Sequence, residues 1–264
     1  MTRDAYYKRK RRMKNQTQLQ SSILKLVQKR RSILPREGTR KLYKSLKPQL
    51  DQQQIKLGRD KLFDLLREQN MLIKPRRKHV VTTNSRHRFR IYKNLVKDFK
   101  PTAINQLWVS DITYLKTTNG FCYLALITDA YSRKIVGYDI SNSLELEGAL
   151  RALKKALRRL PGRVKPIHHS DRGIQYCSNQ YTDLLKKNKL RISMASTGNC
   201  YENAMAERIN GILKHEFYLN EVFINLKHAI KTTKDSIEIY NNKRLHMALG
   251  YQTPEKVHAK ILLG

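Results

Sequence analysis

From Leu107 onward the chain changes its periodicity, and that change limits the folds open to it. Three runs, 107–115, 121–129 and 133–140, are rich in β-branched and aromatic residues and are separated by Asn119-Gly120 and Ser132-Arg133. Such runs, spaced by turn residues, predict three consecutive antiparallel strands with Asn-Gly as the first hairpin turn. The spacing then lengthens. Leu144, Leu146, Ala149, Leu150, Leu153 and Leu157 recur at helical intervals over 143–159, and Pro161-Gly162 closes the segment. A short strand around 165–170, a helix near 179–188, a strand near 190–195 and a long helix from about 201 follow. Three antiparallel strands and then alternating helices and strands make a mixed five-stranded α/β sheet.

The first hundred residues read differently. Leu19, Ile23, Leu24, Leu26 and Val27 recur at helical spacing from Gln18 until Pro35. A second helix is expected over Thr39–Leu46, with Pro48 after it. Gly58 opens a third, in which Leu62, Phe63, Leu65 and Leu66 supply an apolar stripe. Short helices with tight breaks suggest a helix-turn-helix unit, although a small bundle with a charged surface fits the same periodicity. Arg59, Lys61 and Arg67 on the third helix are the candidate DNA contacts of this region. The run Lys8-Arg9-Lys10-Arg11-Arg12 forms a basic arm suited to phosphates, or a solvated tail. Residues 74–100, with Lys74-Pro75-Arg76-Arg77-Lys78 and then Arg86, Arg88 and Arg90, read as a basic linker. The expected division is therefore 1–73, 74–100 and 101–264, the last being an α/β core with a C-terminal helical extension.

Charge narrows the class of partner. The chain carries 54 Lys+Arg against 21 Asp+Glu, a formal net charge of +33. That excess exceeds what solubility needs and points to a polyanion, nucleic acid first. Cys122, Cys177 and Cys200 are odd in number and form no C-x-x-C pair, which argues against a disulfide framework. No apolar segment follows the basic start, and no run approaches the roughly 18 residues that span a bilayer. A cytoplasmic, nucleoid-associated protein without a membrane partner is expected.

In so basic a chain each acid weakens phosphate binding unless it has a role. Asp111 lies inside the first strand, in Trp108-Val109-Ser110-Asp111-Ile112-Thr113-Tyr114, where burying a charge is costly unless it binds something. Asp171 ends the fourth strand, in His168-His169-Ser170-Asp171-Arg172-Gly173, at the edge of an open sheet where ligands bind. Glu207 lies on the long helix. There Met205, Ile209, Ile212 and Leu213 are expected to face the core, and Asn203, Glu207, Asn210 and Lys214 share another face. Three such carboxylates suit hard cations that bridge a phosphodiester, with no Cys or His ligand set required. His168 and His169 point to opposite faces of a strand, which argues against a zinc site. Lys214 and Asn203 are candidate DNA contacts, and Arg244 and His246 are further ones.

These strings, with His169-Ser170-Asp171-Arg172-Gly173-Ile174-Gln175-Tyr176 and Glu202-Asn203-Ala204-Met205-Ala206-Glu207, resemble the catalytic motifs of insertion-sequence transposases. Specifically, the chain resembles the OrfB product of the IS-three group, whose core is similar to retroviral integrase. Tyr240-Asn241-Asn242-Lys243-Arg244-Leu245-His246 and Gly250-Tyr251-Gln252-Thr253-Pro254 match that group's C-terminal signature, and Gly38 through Leu72 resembles its helix-turn-helix. Leu245 stands where a Pro is common, and Ile174 where a second Ser is frequent.

The resemblance implies a ribonuclease H-like integrase catalytic core preceded by a small all-α helix-turn-helix region. It implies a DDE triad of Asp111, Asp171 and Glu207 that binds two Mg²⁺ or Mn²⁺ ions. The partners it implies are double-stranded DNA, as element ends and target, and a homo-oligomer in the DNA complex. An upstream OrfA frame, as partner or fusion, is a further one. The implied function is metal-dependent phosphodiester hydrolysis and strand transfer at insertion-sequence ends. On the residues alone, a nuclease of the same superfold and a non-catalytic end-binding protein remain the alternatives.

Overall fold

Five strands form one sheet in the order β3-β2-β1-β4-β5. They are β1 Leu107–Thr117, β2 Gly120–Asp129, β3 Ile135–Ser141, β4 Ile167–Ser170 and β5 Arg191–Met194. The computed structural model describes residues 2–73, 88–162, 164–195 and 204–260. β1 pairs antiparallel with β2 and parallel with β4, so the sheet is mixed as the sequence predicts. The first hairpin turn differs by one residue from expectation. Thr118 and Asn119 fill it, and Gly120 already pairs with Thr117 at φ 116, a backbone angle that favours glycine.

Helices cover the sheet because alternate strand residues are apolar on both faces. On one face Trp108, Ala125, Ile127 and Val136 pack against Ala149, Ala152, Leu153 and Ala156 of α4 (Leu146–Arg158). Tyr176 of α5 (Ile174–Cys177) and Tyr181 and Leu185 of α6 (Asn179–Lys187) complete that layer. On the other face Leu107, Val109 and Ile167 meet Ala206 of α7 (Ala204–Glu216). The chain continues into α8 (Leu226–Lys243) and α9 (Pro254–Lys260). Asn241 of α8 exchanges two hydrogen bonds with the backbone of Ile135 (3.0 and 3.1 Å), which saturates part of the outer edge of β3.

Helix α4 lies close against the sheet at Gly137. A Cβ there would lie 2.8 Å from the Ala156 Cβ and press on the Ala152 carbonyl oxygen. Gly137→Ala should therefore cost about 1–3 kcal/mol. Urea unfolding followed by tryptophan fluorescence tests this, since Trp108 is the single tryptophan and lies in the same layer. A cost within error of zero would mean that α4 can move outward freely.

The chain divides into two compact units. Met1–Arg77 with Leu245–Tyr251 forms one, and Lys78–Arg244 with Gln252–Gly264 forms the other. In the first, Ile23 and Val27 of α1 (Arg3–Arg31) pack with Leu42, Leu46 and Leu50 of α2 (Thr39–Gln52). Leu62, Leu65 and Leu66 of α3 (Arg59–Glu68) close this core. A helical N-terminal region is thus present.

Two boundaries depart from the sequence reading. The basic arm is helical from Arg3, continuous with the helix expected from Gln18. Pro48 does not end α2 but lies inside it. Burial explains the second departure. Leu42, Leu46 and Leu50 fall at i, i+4 and i+8, all at 2% exposure or less, and carrying Leu50 into the core outweighs one missing N–H bond. Of the expected linker, 74–87 lies outside the described residues and 88–100 has no regular structure.

Candidate active site

Strand parity places the first acid. Leu107 and Val109 share a cluster with Ala206 of α7, whereas Trp108 and Ile112 pack on the opposite layer. Asp111 has the parity of Val109, so it faces α7. Register then places the second. Ser110 pairs with Ser170 as the last rung between β1 and β4, and Asp171 is the next residue beyond β4. One step past a shared rung, on strands about 4.8 Å apart, Asp111 and Asp171 lie at the same edge and on the same face. The backbone N–H of Gly173 donates to Asp171 Oδ1 (2.9 Å). A side chain at Gly173 would press on that oxygen at 3.0 Å.

Helix α7 supplies the third. Ala206, Ile209 and Leu213 are its buried apolar residues, and Asn210 is buried among them. Met205 and Ile212, expected in the core, are only half-buried. The helix meets the sheet along Ala206, Asn210 and Leu213, which rotates Met205 and Ile212 to the flanks. Asn210 Nδ2 donates to Asp111 Oδ2 at 2.7 Å. Glu207 lies three residues before Asn210, exposed at the helix surface, and Lys214 lies four residues after it, half-buried. These three side chains share one face.

The electrostatics follow from this arrangement. Burial pushes the Asp111 carboxyl up to about 7, and the negative charge of Asp171 adds to the rise. The Asn210 bond and the Ile112 backbone N–H act against it, and Glu207 contributes a further small increase. Burial lowers the Lys214 ammonium from its ordinary range, and the charge of Asp111 opposes that shift. Asp171 and Glu207 are therefore both close enough to act on Asp111.

Among the described residues, no three acidic, histidine or cysteine side chains already stand at the spacing of a closed metal cage. The donor set nevertheless suits a hard cation. It consists of carboxylate oxygens, two of them half-buried at one sheet edge, where mutual repulsion makes added positive charge favourable. An exposed Glu207 fits an ion that keeps water and substrate oxygens among its ligands. The neighbouring histidines are committed elsewhere. His168 Nε2 lies 2.8 Å from Ser110 Oγ and 3.0 Å from the Tyr181 hydroxyl, and burial drives its pKa down to about 3. His169 Nδ1 lies 2.9 Å from Ser193 Oγ.

The other predicted residues fall in different places. Arg59, Lys61 and Arg67 are exposed on α3, where Arg59 pairs with Asp60 (2.8 Å) and Arg67 with Asp64 (2.6 Å). Asn203 and Cys200 lie outside the described residues. Arg244 is not a surface DNA contact. It is 6% exposed and grips Glu216 with two bonds of 2.8 and 2.6 Å. His246 is also buried. Trp108 is a core residue whose Nε1 donates to Asn105 Oδ1 (3.0 Å). The residue that sequence reasoning underused is Asn210. Its place on the Glu207 face was visible, but its burial against Asp111 depends on how α7 lies over β1.

Comparison with known proteins agrees with this geometry. Residues 101–200 and 188–254 match two families, each described as an integrase core domain. The Shigella sonnei "insertion element IS600 uncharacterized 31 kDa protein" is 41% identical, over 89% of this chain and 88% of its own length. Transposase InsF for insertion sequence IS3A of Escherichia coli K12 is 38% identical, over 75% of this chain and 69% of its own. A chain of the simian T-cell lymphotropic virus intasome, in complex with PP2A regulatory subunit B56 gamma, has a TM-score of 0.52 at 17% identity. It covers 76% of this chain and 67% of its own, and shares the fold. An integrase-like core implies dependence on a divalent metal, and among the described residues no helix is long and apolar enough to cross a membrane. With two relatives above one-third identity and an integrase core spanning 101–254, the chain belongs to the IS3-type insertion-sequence transposases, enzymes of the DDE transposase and integrase class.

Proposed function

We propose that Asp111, Asp171 and Glu207 are the catalytic carboxylates of a transposase that nicks the ends of its own insertion sequence and joins them to target DNA. They would hold Mg²⁺ or Mn²⁺, two ions per site. The observation that carries this reading is the convergence of Asp111 and Asp171 at one sheet edge, with Asn210 of the Glu207 helix bonded to Asp111. Bound metal would supply Lewis-acid polarisation of the scissile phosphate and a more acidic attacking hydroxyl.

The chain's own groups do the rest. Asn210 fixes one Asp111 oxygen and leaves the other for ligation. Lys214, seven residues beyond Glu207, binds the phosphate strand leading into the site. Asn203, assigned from its place on the Glu207 face of the sequence, orients the same strand. Arg59, Lys61 and Arg67 belong to a helix-turn-helix that recognises the element end. There, phosphates would displace the acids that now pair with the two arginines. The expected division into a DNA-binding region over 1–73, a basic linker over 74–100 and a catalytic core from 101 is proposed on the same footing. Pairing of two ends calls for at least a dimer on DNA, and an upstream OrfA segment is the proposed additional partner. A cytoplasmic site of action on the nucleoid goes with that substrate.

The test is cleavage and strand transfer on labelled end DNA with Mg²⁺ or Mn²⁺, comparing the wild type with Glu207→Gln. The variant should bind DNA with unchanged affinity and yield less than roughly a hundredth of the products. If neither protein cuts even with the upstream frame supplied, a non-catalytic end-binding protein is the better account. Cutting of RNA–DNA hybrids without joining would favour the nuclease.

A further inference from the structure

Helix α1 runs for 29 residues, but its first buried residue is Ile23. Residues 3–19 are exposed on every side, so no packing supports them. Seven of the residues 3–14 are basic, namely Arg3, Lys8, Arg9, Lys10, Arg11, Arg12 and Lys14. The one acid in α1 is Asp4, which pairs with Lys8 at 2.8 Å, while Thr2 Oγ1 caps the helix by accepting from the Ala5 N–H (3.3 Å).

Physical chemistry disfavours this segment as a helix standing alone. Lys8 with Arg12 and Lys10 with Lys14 place like charges at i,i+4, where they repel. An unpacked helix of about this length is marginal in water even with good helix formers. A polyanion laid along the segment would neutralise the repulsion and supply the contacts that the unpacked helix lacks.

The distribution of charge selects among polyanions. At 100° per residue, Lys8 and Arg12 lie on one side of the helix, Arg9 on the next, and Lys10 and Lys14 as a pair on the side opposite Lys8 and Arg12. A helix lying on a membrane needs one apolar face, which this pattern lacks. A coiled coil needs an apolar seam at 3.5-residue spacing, and Tyr6, Tyr7, Met13 and Leu19 do not supply one. The major groove of duplex DNA is about 12 Å wide, accepts a helix, and presents phosphates along both walls. Cations on opposite sides of one helix match two walls.

We propose that Arg3–Leu19 is a groove-seated helix, stabilised in helical form by duplex DNA, and a DNA-binding element separate from α3. The inference rests on the reading that the chain acts on DNA, and concerns a surface distinct from the acid site.

The experiment uses the full chain and a random-sequence duplex of about 40 base pairs, so that neither end recognition nor cutting is required. The variant replaces Lys8, Arg9, Lys10, Arg11 and Arg12 with Gln, whose helix propensity is close to theirs. The wild type should gain circular-dichroism signal at 222 nm on adding duplex, and the variant should gain less. The slope of log K against log salt should be smaller by about 3 in the variant, and its affinity at ~0.1 M salt weaker on the order of 100-fold. Arg9→Lys/Arg11→Lys/Arg12→Lys should retain the wild-type slope.

Equal slopes and affinities for the wild type and the Gln variant would overturn the proposal. So would helicity that rises with protein concentration without DNA, or with anionic vesicles of phosphatidylserine but not with duplex. If the wild type still cuts end DNA in that case, the transposase reading survives and only the groove helix is lost. A wild type that binds no duplex at all would remove both.

Discussion

Asp111→Asn should raise the melting temperature of the metal-free protein at pH 8 while lowering strand transfer by about three orders of magnitude. The second effect follows from losing a ligand charge where several kcal/mol of transition-state stabilisation would be organised. The first follows from the folded protein alone. A half-buried carboxyl pushed up to about 7 prefers its protonated form, so folding is penalised wherever the group must ionise. The penalty is absent below the unfolded value near 4, grows as pH rises between the two values, and is complete above about 7. Removing the acid should therefore gain a few kcal/mol at pH 8 and nothing at pH 4, at about 1.4 kcal/mol per pKa unit. Melting in EDTA at the two pH values reads this directly, and added Mg²⁺ should stabilise the wild type while leaving the variant nearly unmoved. If the variant melts lower than the wild type at pH 8, the carboxylate is better satisfied in the fold than its surroundings imply.

The second large effect is expected at the far end of α7. Arg244 closes α8 and binds Glu216 through two charge-assisted bonds, with only 7% of the arginine side chain exposed. Glu216→Ala strips a buried guanidinium of that carboxylate and should cost about 3–5 kcal/mol. Replacing both partners, Glu216→Leu with Arg244→Met, should recover most of the loss, since an apolar pair of similar volume avoids the desolvation of either charge. Denaturant unfolding of Glu216→Leu, Arg244→Met and their double variant forms a double-mutant cycle, with Glu216→Ala measured beside it. A Glu216→Ala cost below about 1 kcal/mol would show that the pair behaves like an exposed one. The pair also bears on the site, because Glu207, Asn210 and Lys214 share α7 with Glu216.

Much of the core was legible because period-two and period-3.6 patterns there agree with burial. Leu107 to Thr113 alternates between two faces, and that alternation alone tells which way Asp111 points. Asp171 was legible from its place after a short apolar strand. Asn210 was less so, because an asparagine on a polar helix face is indistinguishable from a surface residue until the register of α7 on β1 is known. Pro48 misled for a related reason. Local propensity marks a helix end, whereas the gain from burying Leu50 is a tertiary quantity. Arg244 looked like a nucleic-acid contact since a basic residue in a basic chain carries no sign of its partner, and Glu216 is 28 residues away. In the long helix, Met205 was expected inward, but the smaller Ala206 takes the contact with the sheet.

The division of the chain into units has a consequence for its genetics. The backbone passes from one unit to the other at Arg77, again at Arg244 and again at Tyr251. The last stretch returns to the core, where His258 Nδ1 lies 3.0 Å from Ser132 Oγ and Lys134 pairs with Glu255. A premature stop codon anywhere between 245 and 251 would therefore remove material from both units at once, although Asp111, Asp171 and Glu207 are already encoded. Late truncations that leave the reading frame of the active site intact should still behave as null alleles, and a catalytic fragment for expression must carry the sequence through α9.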